Sequence, residues 1–195
     1  MSAGAAVDGS ANGDERAPGA AGRASGRPGR IVLVGFMASG KSTVGRLLAS
    51  HLGVEFVDLD DEAEARAGRT IPEIFAADGE DAFRALEAEV TEAVDAVRPA
   101  VVATGGGWMA RPELRDRWPD AVRVWLRVSP PAVLARLDGE IGSRPVLDPS
   151  HPERSIGRIM DGRLGDYARA ELTVDTDGRT PAEVAERIVE LLEAR

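Results

Sequence analysis

The sequence predicts an α/β protein in which helices cover both faces of a parallel sheet. Five short apolar runs, typical of strands buried on both faces, alternate with segments that have apolar residues at helical spacing. Strands that alternate with helices favour a parallel sheet. Three polar or glycine-rich clusters directly follow apolar runs. Because ligands of parallel sheets bind beyond the carboxyl ends of the strands, these clusters predict a functional site at that edge.

The first strand, Ile31–Val34, leads into a glycine-rich loop and then into a helix that begins near Lys41. The segment from Gly35 to Ser42 fits the pattern G-x-x-x-x-G-K-[ST]. In such a loop, backbone N–H groups point at a phosphate, and the helix N-terminus favours its negative charge. Lys41 would place its ammonium at the β- and γ-phosphates of a nucleotide, and the Ser42 hydroxyl would bind Mg²⁺. The strand–loop–helix context speaks against the alternative, a glycine turn with a chance Lys-Ser pair.

The second strand, Val54–Val57, ends at an acidic cluster. Asp58 and Asp60 are two residues apart, a spacing that places both side chains on the same side of an extended chain. Near a bound nucleotide, one carboxylate can hold Mg²⁺ through water, and the other can accept a hydrogen bond or a proton from a substrate hydroxyl. The alternative is a polar loop in which Asp61 and Glu62 cap the next helix. That alternative explains Asp61 well but Asp58 poorly.

A helix is predicted from Gly79 to Val97, and a third strand from Ala100 to Thr104. Arg84 and Glu87 are three residues apart on this helix and can pair, which by itself indicates no more than a surface ion pair. Three glycines, residues 105–107, follow the strand and cost folding entropy without packing in return. They indicate either a ligand that approaches the backbone closely or a tight turn that needs positive φ.

The last part of the chain completes the alternation. Residues 138–152, rich in proline and glycine, predict a mobile surface loop, where Arg144 can stabilise a transferring phosphate or simply be solvated. Spacing alone gives no signal for Arg163 or Arg179.

The other predicted elements are a strand at Val122–Val128, a helix capped by Ser129, a helix at about Glu153–Ala168, a strand at Leu172–Val174 and a final helix with the capping box Thr180-Pro181-Ala182-Glu183. The first and last helices have apolar faces at Val44, Leu47, Leu48 and Leu52, and at Val184, Ile188, Leu191 and Leu192.

Composition limits the possible functions of the chain. With 195 residues, 43% of them apolar, it can form one domain, or at most two, with a real core. A net charge of −9 argues against nonspecific nucleic-acid binding, and no apolar run is long enough to predict a membrane span. The absence of cysteine excludes disulfides, thiolate zinc sites and cysteine nucleophiles, and fits a reducing cytosol. Residues 1–29, mostly Gly, Ala, Ser, Pro and Arg, predict a disordered tail before a domain at residues 30–195.

The ordered set of motifs resembles the shikimate kinase family over about residues 31–192. Many nucleotide-binding families share the phosphate loop, so the specific part of the likeness lies in the residues after that loop. The matching residues, in order, are Asp58-Leu59-Asp60, Ile74-Phe75, Gly79-Glu80, Phe83-Arg84 with Glu87, Thr104-Gly105-Gly106-Gly107, Arg144-Pro145, Arg163 with Tyr167, and Val174-Asp175-Thr176. Three residues depart from the family pattern: Gly165 replaces a usual proline, Ala63 replaces a larger apolar residue, and Trp108 is bulky enough to narrow the site.

The resemblance implies a three-layer P-loop NTPase fold of the nucleoside-monophosphate-kinase type, with a five-stranded parallel sheet, a substrate-binding segment at about residues 60–92 and a lid at about residues 138–150. It implies phosphorylation of the 3-hydroxyl of shikimate by ATP with Mg²⁺, and our hypothesis for the mechanism is direct in-line transfer without a phosphoenzyme. The implied ATP-binding residues are Ala38, Ser39, Gly40, Lys41, Ser42, Thr43, Arg144 and Arg179. The implied shikimate-binding residues are Asp60, Arg84, Gly106, Gly107 and Arg163, with Glu87 holding Arg84. The implied catalytic residues are Lys41, Asp60 and Arg144, and the implied metal ligands are Ser42 and Asp58.

Two other functions stay open on the sequence alone. One is a related kinase of another small polyol acid, such as gluconate, and the other is a nucleotide-binding regulatory protein with a decayed site. The pair Arg84 and Arg163, together with the three glycines, favours shikimate, and the full set of site residues argues against decay. We further expect a cytoplasmic monomer whose partners are shikimate and ATP, with neither nucleic acid nor membrane.

Overall fold

A computed structural model describes Met1, residues 29–97 and residues 99–195. The predicted tail, residues 1–29, therefore lies outside the described residues except for its two end positions. The strands are β1 Arg30–Val34, β2 Glu55–Asp58, β3 Ala100–Ala103, β4 Val122–Arg127 and β5 Leu172–Asp175. The α-helices are α1 Lys41–Leu52, α2 Leu59–Ala67, α3 Ile71–Ala93, α4 Pro112–Arg115, α5 Pro130–Arg136, α6 Pro152–Tyr167 and α7 Pro181–Glu193. Short 3₁₀ turns cover Val94–Ala96, Trp108–Ala110 and Ile141–Ser143.

The five strands form one parallel sheet in the order β2-β3-β1-β4-β5. Strand β1 lies at the centre, where Val32 is level with Val102 of β3 and Leu33 is level with Val124 of β4. The carboxyl ends of β1, β2 and β3 therefore meet at one edge of the sheet. This arrangement confirms the predicted fold class and brings the three polar clusters together.

Helices cover both faces of the sheet because side chains alternate along each buried strand. Val32 and Val34 of β1 pack in one hydrophobic cluster with residues of α2 and α3. Ile31 and Leu33 point to the other face, into a cluster with residues of α1 and α7. A third, smaller cluster joins the phosphate-loop residue Phe36 to α5 and α6. No helix in the described residues is both long and apolar enough to cross a membrane.

Helix α3 departs most from the sequence-based prediction, since it begins at Ile71 rather than at Gly79. Thr70 caps it in a capping box with Glu73, the same device that opens α7. At Gly79 the backbone is not helical, with φ 85° and ψ 179°, a combination essentially restricted to glycine. The helix therefore consists of two segments joined by a kink. A smaller difference is Leu47, predicted on the apolar face of α1 but 43% exposed.

Candidate active site

The loop between β1 and α1 is wrapped around the amino group of Lys41. Gly35 and Gly40 have φ of 140° and 92°, and a Cβ on Gly35 would lie 2.6 Å from the carbonyl oxygen of Leu126. Ala38 has φ 56°, a left-handed conformation that is uncommon for a residue with a side chain. The Nζ of Lys41 donates hydrogen bonds to the carbonyl oxygens of Gly35 at 3.1 Å and Phe36 at 2.9 Å. The lysine charge is thus held within the loop, at the N-terminus of α1.

Burial lowers the pKa of the Lys41 ammonium, and the nearby carboxylates of Asp60 and Asp58 oppose that shift. Removal from water disfavours the charged form of Lys41. A bound anion beside the ammonium would favour that charged form. The position at a helix N-terminus also favours an anion. This loop therefore has the charge and the backbone geometry that a phosphate group requires.

Asp58 and Ser42 form the oxygen-rich part of the site. The Ser42 hydroxyl donates to Oδ2 of Asp58 at 2.5 Å, and Oδ1 of Asp58 accepts from the backbone N–H of Asp60 at 3.1 Å. Asp58 is buried and is the N-cap of α2. Groups of three or more His, Cys, Asp or Glu side chains able to hold a metal do not occur in the described residues. Mg²⁺ usually keeps several waters and takes few protein ligands, so one hydroxyl and one carboxylate fit this ion.

Asp58 and Asp60 reach the same cavity, but not for the reason that their spacing suggested. Strand β2 ends at Asp58 and helix α2 begins at Leu59, so the two residues do not lie in one extended segment. The helix turn directs Asp60 into the site instead. Burial raises the pKa of the Asp60 carboxyl to about 6, with Lys41 acting in the opposite direction and Asp58 and Glu87 adding to the rise. Asp60 is therefore a carboxyl group whose protonation changes near neutral pH.

The three glycines after β3 leave room for charged side chains. None of residues 105–107 has positive φ, so the tight-turn explanation does not apply to them. A Cβ on Gly105 would lie 2.7 Å from Oε1 of Glu87. A Cβ on Gly106 would lie 3.0 Å from Nη1 of Arg163, and one on Gly107 would lie 3.1 Å from Nη1 of Arg84. Each of these distances is shorter than a Cβ normally allows. The close approach of charged side chains therefore explains why these positions are glycine.

Arg84 and Arg163 lie over neighbouring glycines, although one comes from α3 and the other from α6. Arg84 donates to Oε2 of Glu87 at 3.0 Å and to Oε1 of Glu80 at 2.9 Å. Burial disfavours the charged guanidinium of Arg84, but its pairs with Glu87 and Glu80 outweigh this effect and raise its pKa. The predicted Arg84–Glu87 pair is therefore more than a surface ion pair, since Glu87 is 2% exposed.

Tyr167, at the end of α6, supports this part of the site. Its hydroxyl donates to the carbonyl oxygen of Gly106 at 2.5 Å, and its ring stacks on Trp125 with centroids 5.8 Å apart. Burial raises the pKa of the Tyr167 hydroxyl, and the positive charge of Arg163 opposes the shift. Tyr167 thus touches the backbone of one candidate substrate-binding residue and lies beside another.

Two adjoining cavities contain most of the predicted site residues. A cavity of about 250 Å³ is lined by Met37, Ala38, Gly40, Lys41, Ser42, Thr43, Asp58, Asp60, Thr104, Gly106 and Arg144. A cavity of about 380 Å³ is lined by polar residues and by an apolar wall. The polar residues are Ser42, Asp58, Asp60, Asp61, Glu64, Arg84, Glu87, Arg144 and Arg163, with Gly105, Gly106 and Gly107, and the apolar wall is Met37, Ile71, Pro72, Phe75, Phe83, Pro145 and Val146. A larger groove of about 680 Å³ beside α5 has few charged groups, so size alone does not locate the site.

Arg144 and Arg179 occupy different positions relative to these cavities. Arg144 lines both of them and donates to Glu140 at 3.0 Å. Arg179 is exposed and is not among the described residues that line either cavity. Its turn nevertheless adjoins the phosphate loop, because Arg136 donates to the carbonyl oxygens of both Ala38 and Thr176. Ser39, the remaining predicted loop residue, is buried in the loop itself.

Trp108 does not narrow the site, and its expected effect was wrong. The indole is fully buried, stacks on Trp118 at 5.5 Å and donates to Oγ1 of Thr91 at 3.2 Å. It therefore fastens the segment after the glycines to α3. The apolar wall at Ile71, Pro72 and Phe75 lies within the segment at about residues 60–92 that the resemblance implied, but sequence reasoning gave these residues no individual role. The capping box at Thr70 could have indicated where this wall begins.

Comparisons with known proteins cover most of the chain. A profile of the shikimate kinase family matches residues 37–193. A shikimate kinase from Moorella thermoacetica is 45% identical over 168 residues, which cover 86% of this chain and 96% of that protein. One from Synechococcus sp. (strain CC9605) is 42% identical over 170 residues, which cover 87% of this chain and 84% of that protein. The structure of shikimate kinase from Acinetobacter baumannii in complex with shikimate matches with a TM-score of 0.80 and 34% identity, covering 85% and 93% of the two chains.

Proposed function

This chain belongs to the shikimate kinase family, and we propose that it transfers the terminal phosphate of ATP to the 3-hydroxyl of shikimate in the two adjoining cavities. One observation carries the proposal. Asp60 lines both cavities, with the Lys41 loop in one and the Arg84–Arg163 pair in the other. A phosphate donor and an acidic acceptor bound in these cavities would meet at this carboxylate.

The arginine pair would bind the carboxylate of shikimate. Two guanidinium groups can donate several hydrogen bonds to one carboxylate in a fixed orientation. Gly106 and Gly107 carry no side chain, so their backbone would lie against the substrate. The two arginines are close by, since a Cβ on these glycines would lie 3.0 Å from Arg163 and 3.1 Å from Arg84. The apolar wall that includes Phe75 would contact the ring of the substrate.

Asp60 would orient the hydroxyl that attacks the phosphate. Its carboxylate accepts the hydrogen bond of that hydroxyl and lies where it can also take the proton. A pKa of about 6 leaves the group mostly ionised at neutral pH while making it a better base than an exposed aspartate. Catalysis would then come mainly from positioning and from charge stabilisation, with direct in-line transfer.

The phosphates of ATP would bind the backbone of residues 38–43, with Lys41 at the β- and γ-phosphates. Ser42 and Asp58 would hold Mg²⁺, which neutralises phosphate charge when bound. Arg144 lies on the predicted lid, residues 138–150, and would add positive charge at the transferring group. Its Nε is buried without a hydrogen-bond partner in the described part of the chain, so a donor remains for an anion. Arg179 would contact the adenine side from the turn before α7.

We also propose that the enzyme works as a monomer in the cytoplasm, without nucleic acid. All residues that the mechanism uses come from one chain, and the cytoplasm is where ATP is regenerated. The net charge of −9 opposes binding to a polyanion without placed cations. Light scattering on the purified protein tests the monomer, and a larger particle at micromolar concentration would contradict it.

The test of function is ADP release measured with ATP and Mg²⁺, offering shikimate and gluconate in parallel, with Lys41→Ala as control. We expect turnover on shikimate that the Lys41→Ala variant lacks. Turnover on gluconate alone would support transfer of phosphate from ATP but reject shikimate as the acceptor. Binding of ATP without turnover on either acid would favour a regulatory protein.

A further inference from the structure

We propose that Arg111, which no motif indicated, is a positioning residue that keeps the charge of Arg84 available to the substrate carboxylate. The inference deepens the proposed function and rests on it. Arg111 follows the 3₁₀ turn Trp108–Ala110 and precedes α4, so it lies directly beyond the three glycines. It reaches back to α3, where its Nη1 donates to the carbonyl oxygen of Arg84 at 2.8 Å and lies 3.5 Å from Oε2 of Glu87.

The position of Glu87 shows why a second cation is needed. Its carboxylate is 3% exposed, and Oε2 accepts from both Arg84 and Arg111, whereas Oε1 has no hydrogen-bond partner among the described residues. A buried carboxylate requires compensation by charge and by hydrogen bonds. If Arg84 were the only cation paired with Glu87, that carboxylate would neutralise its positive charge, and Arg84 would attract a substrate carboxylate less strongly.

The balance of buried charges changes when Arg111 is included. Arg84 and Arg111 are 23% and 22% exposed, whereas their outer partners Glu80 and Glu113 are 62% and 58% exposed and are screened by water. Among the less exposed groups, two guanidinium groups therefore face one carboxylate. Arg84 lines the cavity of about 380 Å³, where its guanidinium can meet an acid.

Arg111 also fixes the place from which Arg84 acts. Its bond to the backbone of Arg84, together with the bond from Trp108 to Thr91, fastens α3 to the segment after the glycines at two points. The Arg84 guanidinium is then held over Gly107, so close that a Cβ on this glycine would lie 3.1 Å from Nη1 of Arg84. A substitution at Arg111 should thus weaken binding of the acid without touching the chemistry at the phosphate.

Arg117 offers a matched control. It follows α4 and reaches Glu92 at the end of α3, at 3.0 Å, and Asp95 in the next 3₁₀ turn, at 2.6 Å. Neither partner lines a cavity of the site among the described residues. Arg117→Gln therefore removes an arginine from the same segment and should leave the KM for shikimate unchanged.

The experiment measures steady-state kinetics of the full chain, Arg111→Gln, Arg111→Lys and Arg117→Gln, with shikimate and with its neutral carboxamide. We expect Arg111→Gln to raise the KM for shikimate by about 10-fold or more, because hydrogen bonds to charged groups are worth that much. The kcat, the KM for ATP and the kcat/KM for the carboxamide should each change by less than about 3-fold, within the effect of losing one neutral hydrogen bond. Arg111→Lys should restore part of the loss, since lysine keeps the charge but not the two-pronged geometry.

Two results would reject the role of Arg111 while leaving the function intact. One is an unchanged KM for shikimate, and the other is an equal loss on shikimate, carboxamide and ATP, which a general structural defect would produce. If the unaltered protein failed to phosphorylate shikimate, the proposed function would fall, and the role of Arg111 with it.

Discussion

The two halves of the active site are built in different ways. The half that would bind ATP is built around one continuous stretch, Gly35 to Thr43, whose glycines and lysine shape a single loop beside Asp58 and Arg144. The half that would bind shikimate is assembled from α3, the glycines after β3, and α6. The first half places its charge by backbone geometry, and the second places it by buried ion pairs. Mutations in the ATP-binding half should therefore lower turnover, whereas mutations in the shikimate-binding half should weaken recognition of the acid.

The largest effect is expected in the continuous half. Lys41→Met keeps much of the side-chain volume but removes the charge that would lie at the phosphates. We expect kcat/KM for ATP to fall by at least about 10³-fold, the scale for a cation that stabilises phosphoryl transfer. Coupled ADP release measures it, with Arg187→Gln on the exposed face of α7 as the unaffected control. A loss below about 10-fold would contradict the role of Lys41.

The next largest effect is expected at Asp60, where the two halves meet. Asp60→Asn removes the base but keeps the shape, and we expect kcat to fall by about 10² to 10⁴-fold. The same change should stabilise the free enzyme by roughly 1 to 3 kcal/mol at pH 7, because a carboxyl with a raised pKa opposes folding when ionised. Chemical denaturation tests this, and a variant that is both inactive and less stable would contradict the description of Asp60 as a destabilised charge.

The pH dependence of the unaltered protein has a definite sign. Since the pKa of Asp60 is about 6 rather than 3.8, the folded state binds its proton more tightly than the unfolded chain. This residue therefore contributes stability at pH below 3.8 and loses that contribution as pH rises to about 6. Activity runs the other way, and kcat/KM, which reports groups of the free enzyme, should fall as pH drops through about 6. An activity profile that stays flat down to about pH 5 would show that ionised Asp60 is not required.

A moderate effect is expected in the assembled half. Gly107 has φ −100°, which alanine adopts easily, but the added Cβ would stand 3.1 Å from Nη1 of Arg84. Gly107→Ala should raise the KM for shikimate by about 10-fold through loss of a charged hydrogen bond, with little change in the KM for ATP. Gly157→Ala on α6 is the control, because a Cβ there would meet nothing within 4 Å. Equal effects of the two substitutions would argue against close approach.

The smallest effect is expected at Ala38, inside the continuous half. A left-handed residue with a side chain costs roughly 1 kcal/mol, and glycine would remove that cost while gaining freedom in the unfolded chain. Ala38→Gly should thus change the free energy of unfolding by less than about 1 kcal/mol. We expect kcat to change by less than about 3-fold, and a large loss would mean that the rigidity of Ala38 matters for phosphate binding.

The continuous half could be predicted from the sequence because its signal is local. A glycine pattern between a strand and a helix specifies both the loop and the place of Lys41, and β1 and α1 lie where the pattern required. The capping boxes act over four residues, and the one at Thr70 could have located the start of α3 as the one at Thr180 located α7. These features depend on near neighbours in the chain.

The assembled half could be predicted only through the family resemblance. Nothing in local spacing brings Arg84 and Arg163 to one cavity, since they belong to different helices, α3 and α6. The network around Glu87 depends on how α3 packs on the segment after β3, which is a property of the folded sheet. Trp108 illustrates the same limit, because its sequence position next to the glycines suggested the site while its packing places it in the core.

The kink at Gly79 has a consequence for redesign of the acceptor pocket. It divides α3 into a segment that carries the apolar wall at Ile71, Pro72 and Phe75 and a segment that carries Arg84 and Glu87. A library that varies the first segment can change the shape available to the ring of an acceptor, while the second keeps its affinity for a carboxylate. Gly79 itself should be left constant in such a library, since its backbone conformation admits essentially no other residue.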